Sequence, residues 1–138
     1  MKHGVAKKKF KGGYDANKML RRKLVRNFLE IGWLETTLAK AKAIRPFLDK
    51  MAERTKERSE ANKNHLLKLL ADMPLVEKAF GEVGPVIKDI KGGYVRIIKL
   101  GQRMNDGSLM ARLEWAYPVV KEKKITAKAE KKPEEINK

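Results

Sequence analysis

The sequence predicts an α/β fold of the α+β type, in which helices pack on a small, mostly antiparallel sheet. Two amphipathic helical patterns occupy the first half of the chain, and a pair of segments rich in β-branched and aromatic residues follows in the second half. Glycines stand where one pattern gives way to the next. We expect a basic N-terminal arm over residues 1–13, a single domain over residues 14–118 and a charged, flexible C-terminal tail over residues 119–138.

All charged side chains of the predicted arm are cations. It contains no acidic residue, three glycines and five lysines: Lys2, Lys7, Lys8, Lys9 and Lys11. A charge run alone fits a solvated tail as well as a ligand-binding arm. Because a basic helix follows directly, we favour an arm that lays additional cations along phosphates. His3 is interpreted as a stacking or phosphate-contacting side chain.

The first helix is predicted over residues 16–31, with Asp15 as its N-cap. One face of it is apolar, through Leu20, Leu24, Phe28 and Ile31. Much of the remaining surface is cationic, through Lys18, Arg21, Arg22, Lys23 and Arg26. Glu30 is the only acid after Asp15, so this surface lacks the interspersed carboxylates of an ordinary solubilising face. The composition is typical of a helix that faces phosphates.

A turn at Gly32 then leads into a short strand, Trp33–Thr36, and a second helix from Leu38. Thr36 or Thr37 is expected to cap this helix with its hydroxyl. Its apolar face comprises Leu38, Ala41, Ile44, Leu48, Met51 and Ala52, and its cations are Lys40, Lys42, Arg45 and Lys50. Pro46 lacks an N–H, so either the helix bends there or the preceding turn is distorted.

The middle of the chain is predicted to contain small helices. Residues 53–64 are polar and interpreted as a frayed helix end and a loop, capped by Ser59 or Asn62. Short helices are expected over residues 65–71 and 75–81, with Pro74 in the first turn of the latter. Gly84 and Pro85 mark a change of period.

A hairpin is predicted in the last part of the domain. Tyr94–Gly101 is a strand that places Val95 and Ile97 on one side and Tyr94 on the other. A polar loop containing Arg103 precedes a second strand, Leu109–Trp115, which we expect to be antiparallel to the first. Trp33–Thr36 is expected to supply a third strand.

Charge limits the class of partner. The chain carries 33 basic and 17 acidic residues, a net charge of +16, which favours a polyanion such as nucleic acid. Binding to an anionic membrane is a weaker interpretation, because no apolar run approaches the roughly 20 residues that span a bilayer. The N-terminus lacks the apolar segment of a signal peptide, and there is no cysteine. We expect a cytoplasmic protein that binds no membrane and no small-molecule substrate.

No motif supports catalysis. A phosphate-binding loop ending in Gly-Lys-Ser/Thr is missing from the sequence, and His3 and His65 lack the spacing of metal ligands. Ser59 and Ser108 do not lie in a nucleophile-elbow pattern. The sequence therefore predicts no enzyme, no cofactor and no metal site.

Two segments resemble a known family. ETTLAKAK at residues 35–42, followed by Arg45-Pro46, and KGGYVRIIKLG at residues 91–101 are similar to the signature of bacterial large-subunit ribosomal protein seventeen. They occur in the right order and at a suitable distance. The basic start KHGVAKKKF also resembles the family, and residues 20–34 align with its first helix and strand. The similarity covers about residues 1–115.

The resemblance implies a compact α/β domain that binds large-subunit rRNA near the peptide exit, alongside neighbouring ribosomal proteins. It implies a structural constituent of the ribosome that acts in translation. Residue by residue, it assigns RNA contacts to Lys2, His3, Lys7, Lys8, Lys18, Arg21, Arg22, Thr36, Lys40, Arg45, Arg96, Lys99 and Arg103. Their charge adds Lys9, Lys11, Arg26 and Lys42 to the predicted interface.

Some residues depart from the family pattern. Gly4 stands where the family has arginine, and Ala-Asn-Lys at residues 16–18 replaces a His-Arg-Lys run. Gly-Gly-Tyr-Asp at residues 12–15 is unfamiliar. A free-standing protein that coats DNA is the alternative function, although the sequence has neither a helix-turn-helix nor a basic-zipper pattern.

Overall fold

The computed structural model describes residues 10–119. Residues 1–9 of the predicted arm and residues 120–138 of the predicted tail lie outside this range. The helices are α1 (Tyr14–Ile31), α2 (Leu38–Thr55), α3 (Glu60–Leu70), α4 (Met73–Lys78) and α5 (Gly84–Ile87), and a π-helical segment, Ala79–Val83, joins α4 to α5. The strands are β1 (Trp33–Thr37), β2 (Val95–Gln102) and β3 (Leu109–Trp115).

The three strands form one antiparallel sheet in the order β1-β3-β2. Leu113 of β3 lies opposite Leu34 of β1 on one side and Ile97 of β2 on the other. The β2–β3 hairpin confirms the predicted strand pair, and β1 is the predicted third strand. A bulge between Lys99 and Gly101 leaves one extra residue in β2.

The core lies between the helices and one face of this sheet. Phe28 of α1 meets Trp115 of β3 with ring centroids 4.8 Å apart. Ile44 and Leu48 of α2 are fully buried, as is Leu113 of β3. These contacts confirm the predicted α+β class, in which helices pack on a small antiparallel sheet.

The start of α1 differs from the prediction. Gly13, and not Asp15, is the N-cap residue, and α1 has no side-chain cap of the kind predicted. Asn17 in the first turn supplies the hydrogen bonds instead: its amide donates to the carbonyls of Phe10, Gly12 and Gly13 at 3.1, 3.1 and 2.8 Å. The segment before α1 is thus held by a residue inside the helix.

Two further details of the first half are wrong. Ile31 is 52% exposed, because the buried line of α1 runs through Val25, Phe28 and Leu29 and ends before the last residue. Thr37 occupies the N-cap position of α2, but its hydroxyl makes no capping bond.

The predicted turn at Gly32 is confirmed, since its φ of 93° is left-handed and its N–H donates to the Phe28 carbonyl.

The middle of the chain is helical over more residues than predicted. Ser59 caps α3 by accepting the Asn62 N–H at 3.2 Å, so α3 begins at Glu60, inside the predicted loop. The predicted change of period at Gly84-Pro85 is wrong, because the chain stays helical to Ile87. The Gly84 N–H donates to the Ala79 carbonyl, the longer step of a π-helix, just before Pro85.

The predicted alternation fails at the start of β2. Tyr94 and Val95 are both buried, although adjacent residues of a strand point to opposite faces. Tyr94 precedes β2 and is therefore not bound by the alternation. Its hydroxyl donates to the Glu53 carboxylate and lies 3.1 Å from the Ile90 carbonyl oxygen, which ties the start of the hairpin to the end of α2.

Candidate nucleic-acid interface

Some cationic side chains of α1 are exposed to solvent, and others bond to neighbouring groups of the protein. Lys18 is exposed and has no ion-pair partner among residues 10–119. Arg21 is half-buried, and its guanidinium lies 4.9 Å from the centroid of the Phe47 ring of α2. The Arg21 Nε also donates to the Asn17 carbonyl at 3.3 Å. Arg21 therefore presents a fixed guanidinium plane at the junction of α1 and α2.

Arg22 connects α1 to the end of α3, and Arg26 connects α1 to Asp72, the N-cap residue of α4. The Arg22 guanidinium donates to the carbonyls of Leu69 (3.2 Å) and Lys68 (3.1 Å) at the end of α3. Arg26 forms an ion pair with Asp72, with 2.7 Å between Nη2 and Oδ2. Both side chains satisfy polar groups of the protein itself, so they act first as braces between helices. RNA contacts by these two residues stay predictions.

The predicted contacts near α2 differ in exposure. Lys42 and Arg45 are exposed, Lys40 is half-buried, and Thr36 is only 9% exposed on the core side of β1. Arg45 lies 3.8 Å from the Asp49 carboxylate. Burial raises the pKa of Asp49 above its usual range, and the Arg45 charge opposes this shift. Lys42 is thus the one of these three cations that is exposed and outside the ion pairs of residues 10–119.

The hairpin holds two of its three predicted contacts in ion pairs. Arg96 pairs with Glu114 on the neighbouring strand, and Arg103 pairs with Asp106 in the turn, with 2.9 Å between Nε and Oδ1. The hydrogen bonds from Arg103 hold the pKa of Asp106 far below its usual range. Lys99 is exposed and has no ion-pair partner within residues 10–119.

On the face of the sheet turned away from the helices, the arginines are paired with carboxylates. Arg112 of β3 pairs with Glu35 of β1 at 2.7 Å and lies 4.6 Å from the centroid of the Trp33 ring. The Arg96–Glu114 pair stands beside it, because Glu114 follows Arg112 by two residues in β3 and so points to the same face. Two cations and two carboxylates meet there, which makes this face a poor surface for a polyanion.

The helical side supplies the exposed cations that a polyanion needs. Four predicted contacts are exposed and outside every ion pair of the described residues: Lys11, Lys18, Lys42 and Lys99. Ammonium groups of this kind bind phosphates and release counterions. Between residues 10 and 119, no helix is long and apolar enough to cross a bilayer, and no cluster of three or more potential metal ligands occurs.

The sequence interpretation missed the aromatic neighbours of these cations. Tyr14, Phe47 and Lys68 line a small cleft together with Lys18 and Arg21. The available signal was the unfamiliar Gly-Gly-Tyr-Asp segment, which places Tyr14 at the first position of α1. Phe47 and Lys68 come from other helices, so helical periodicity within α1 does not reveal them.

Comparison with known proteins decides the family. The model of the family described as ribosomal protein L17 matches residues 20–116, which is most of the chain. The chain belongs to the ribosomal protein L17 family. Among its relatives is the large ribosomal subunit protein bL17 of Salinibacter ruber, 43% identical over 81 residues. That alignment covers 59% of this chain and 41% of the relative, so the chain spans about two fifths of the length of this curated relative.

The match confirms the predicted family. The family is described as ribosomal protein L17, and the relative from Salinibacter ruber is named as a protein of the large ribosomal subunit. The match contains the predicted contacts from Arg21 to Arg103, including those on α2 and the hairpin. The predicted contacts on the arm, together with Lys18, precede the matched residues.

Proposed function

We propose that this L17 family chain is a structural constituent of the large ribosomal subunit in the cytoplasm. In this proposal it binds large-subunit rRNA near the peptide exit region and contacts neighbouring ribosomal proteins there. The family match over residues 20–116 is the observation that carries the proposal. The net charge of +16 supports it, because phosphates dominate the affinity of such proteins for RNA.

The proposed interface lies on the helical side and at the hairpin. Lys18, Lys42 and Lys99 are its central contacts, because they are exposed and outside the ion pairs described above. Arg21, Lys40 and four arginines that already bond to other protein groups extend it: Arg22, Arg26, Arg45 and Arg103. Arg96 is left out, because it pairs with Glu114 on the opposite face of the sheet. We leave Thr36 out of the interface because its side chain is buried on the core side of β1.

The division of the chain is part of the proposal. Residues 1–13 act as a basic arm, residues 14–118 form the rRNA-binding domain and residues 119–138 are a charged extension. Lys2, His3, Lys7, Lys8, Lys9 and Lys11 of the arm add phosphate contacts. Deletion of residues 1–9 should therefore weaken RNA binding more at low salt than at high salt, since the lost lysines act through their charge.

Sedimentation of a cell lysate through a sucrose gradient tests the proposal. We expect the chain to migrate with large subunits and to stay bound through moderate salt. Ribonuclease should release it from the fast fractions, whereas deoxyribonuclease should not. Recovery in low-molecular-weight fractions alone would contradict the ribosomal function, and release by deoxyribonuclease would support the DNA-coating alternative.

A further inference from the structure

A narrow cleft lies where α1, α2 and α3 meet. Its volume is about 180 Å³, and its principal lining residues are Tyr14, Lys18, Arg21, Arg22, Phe47 and Lys68. No acidic side chain occurs among the described residues that line it. The volume lies below the roughly 300–1,000 Å³ typical of pockets for drug-sized ligands. The cleft therefore has room for a group of nucleobase size but not for a drug-sized ligand.

The walls of the cleft are flat and held in place. The Arg21 guanidinium lies 4.9 Å from the centroid of the Phe47 ring, and Arg22 is fixed by the carbonyls of Lys68 and Leu69. Tyr14 stands at the rim with 76% of its surface exposed. The hydrogen bonds of Asn17 to Gly12 and Gly13 hold the backbone just before Tyr14. The Phe47 ring and the Arg21 guanidinium thus meet in the cleft, whose lining also includes the Tyr14 ring, Lys18 and Lys68.

We propose that this cleft takes one unstacked base of RNA. The base stacks on the Tyr14 ring beside the Arg21–Phe47 pair, while Lys18 and Lys68 contact the flanking phosphates. Proteins recognise unpaired RNA bases by stacking them on aromatic side chains and arginine planes. An acidic peptide would use the cations but leave the aromatic ring without a partner, so RNA is the better ligand. This inference rests on the proposed function and names the part of the RNA that the site binds.

The test uses the full chain and two RNA hairpins, one with a single bulged 2-aminopurine and one with the same sequence fully paired. The unaltered protein should bind the bulged hairpin more tightly and change its 2-aminopurine fluorescence. Because stacking on one side chain contributes about 1–3 kcal/mol per base, Tyr14→Ala should weaken this binding roughly 5- to 150-fold. Tyr14→Phe keeps the ring and should restore it.

Trp33→Ala is the matched control. Trp33 is also an exposed aromatic residue beside an arginine, but it lies on the sheet face, where Glu35 pairs with Arg112. Its removal should leave the preference for the bulged hairpin unchanged. Tyr14→Ala should also retain the salt dependence of binding, since no charge is lost, whereas Lys18→Ala combined with Lys68→Ala should reduce it. Thermal melts should show that each variant is folded.

Several results would overturn the inference. Equal affinity for the bulged and paired hairpins would mean that the cleft contacts phosphates only. Equal losses for Tyr14→Ala and Trp33→Ala would remove the special role of Tyr14, and competition by polyglutamate as strong as that by RNA would indicate an acidic protein ligand. If the protein binds large-subunit rRNA but fails these comparisons, only the base site is wrong. If it binds neither hairpin nor rRNA, the proposed function fails as well.

Discussion

At the scale of single residues, arginine and lysine have different tasks in this domain. Arg22 braces α1 against α3, Arg26 ties α1 to the start of α4, and Arg103 closes the hairpin turn. The exposed cations without carboxylate partners that we place at the interface are lysines, such as Lys18 and Lys42. The planar guanidinium can serve several acceptors at once, whereas the ammonium is a compact charge on a flexible stem. Net charge alone therefore overstates how many cations are free to bind RNA.

The division between core and interface on α2 can be tested by two variants. Leu48 is fully buried, so Leu48→Ala should cost about 2–5 kcal/mol of the free energy of unfolding. Lys40→Ala combined with Arg45→Ala should change stability by less than about 1 kcal/mol, because the Arg45–Asp49 pair is near the surface. The measurement is denaturant unfolding of the free protein. Comparable destabilisation by both variants would show that the two cations are structural.

At the scale of elements, local patterns predicted what lies within one segment. The 3.6-residue period located α1 and α2, and β-branched residues located the hairpin, with β3 matching its predicted range. Some of the errors arose where a segment contacts a residue that is distant in the sequence. Gly84 is an example. The sequence predicted a change of structure at this glycine, whereas in the structure it lies within a helical stretch and packs closely against Thr55, 29 residues earlier in the chain.

Two glycines of the α4–α5 region make a matched pair for testing that contact. A Cβ added at Gly84 would lie 2.5 Å from the Thr55 carbonyl oxygen, whereas one added at Gly81 would meet nothing within 4 Å. Gly84→Ala should therefore destabilise the domain by roughly 1–3 kcal/mol, as overpacking does. Gly81→Ala should be neutral or stabilise it by up to about 1 kcal/mol, since alanine favours helix. Thermal unfolding would compare them, and equal effects would mean that the backbone at Gly84 relaxes freely.

At the scale of the whole molecule, the sheet separates two kinds of surface. The helical side contains the exposed lysines and the basic cleft, while the opposite face neutralises Arg96 and Arg112 with carboxylates. The charge of the sequence predicted a polyanion but not this asymmetry, because cross-strand pairing brings Glu35 to Arg112 across 77 residues. The predicted contacts on α1 stay predictions, and the sequence did not predict the cleft, because residues of three helices build it together.

This asymmetry leads to a prediction about salt. The triple variant Lys18→Ala, Lys42→Ala and Lys99→Ala removes three unpaired cations of the proposed interface. A control triple variant removes three paired cations, Arg58, Lys78 and Arg112, whose partners are Glu77, Glu82 and Glu35. Both variants lower the net charge of +16 by the same amount. Any difference between them therefore reports local phosphate contacts and not the overall field of the protein.

The measurement is the affinity for large-subunit rRNA across a range of salt concentrations. Each lysine that contacts a phosphate contributes about 0.7–0.9 to the slope of log affinity against log salt. The interface variant should therefore flatten the slope by roughly two to three, and the control variant by clearly less. Equal flattening by the two variants would mean that the protein attracts RNA only through its net charge. A steep slope retained by the interface variant would move the proposed contacts away from these three lysines.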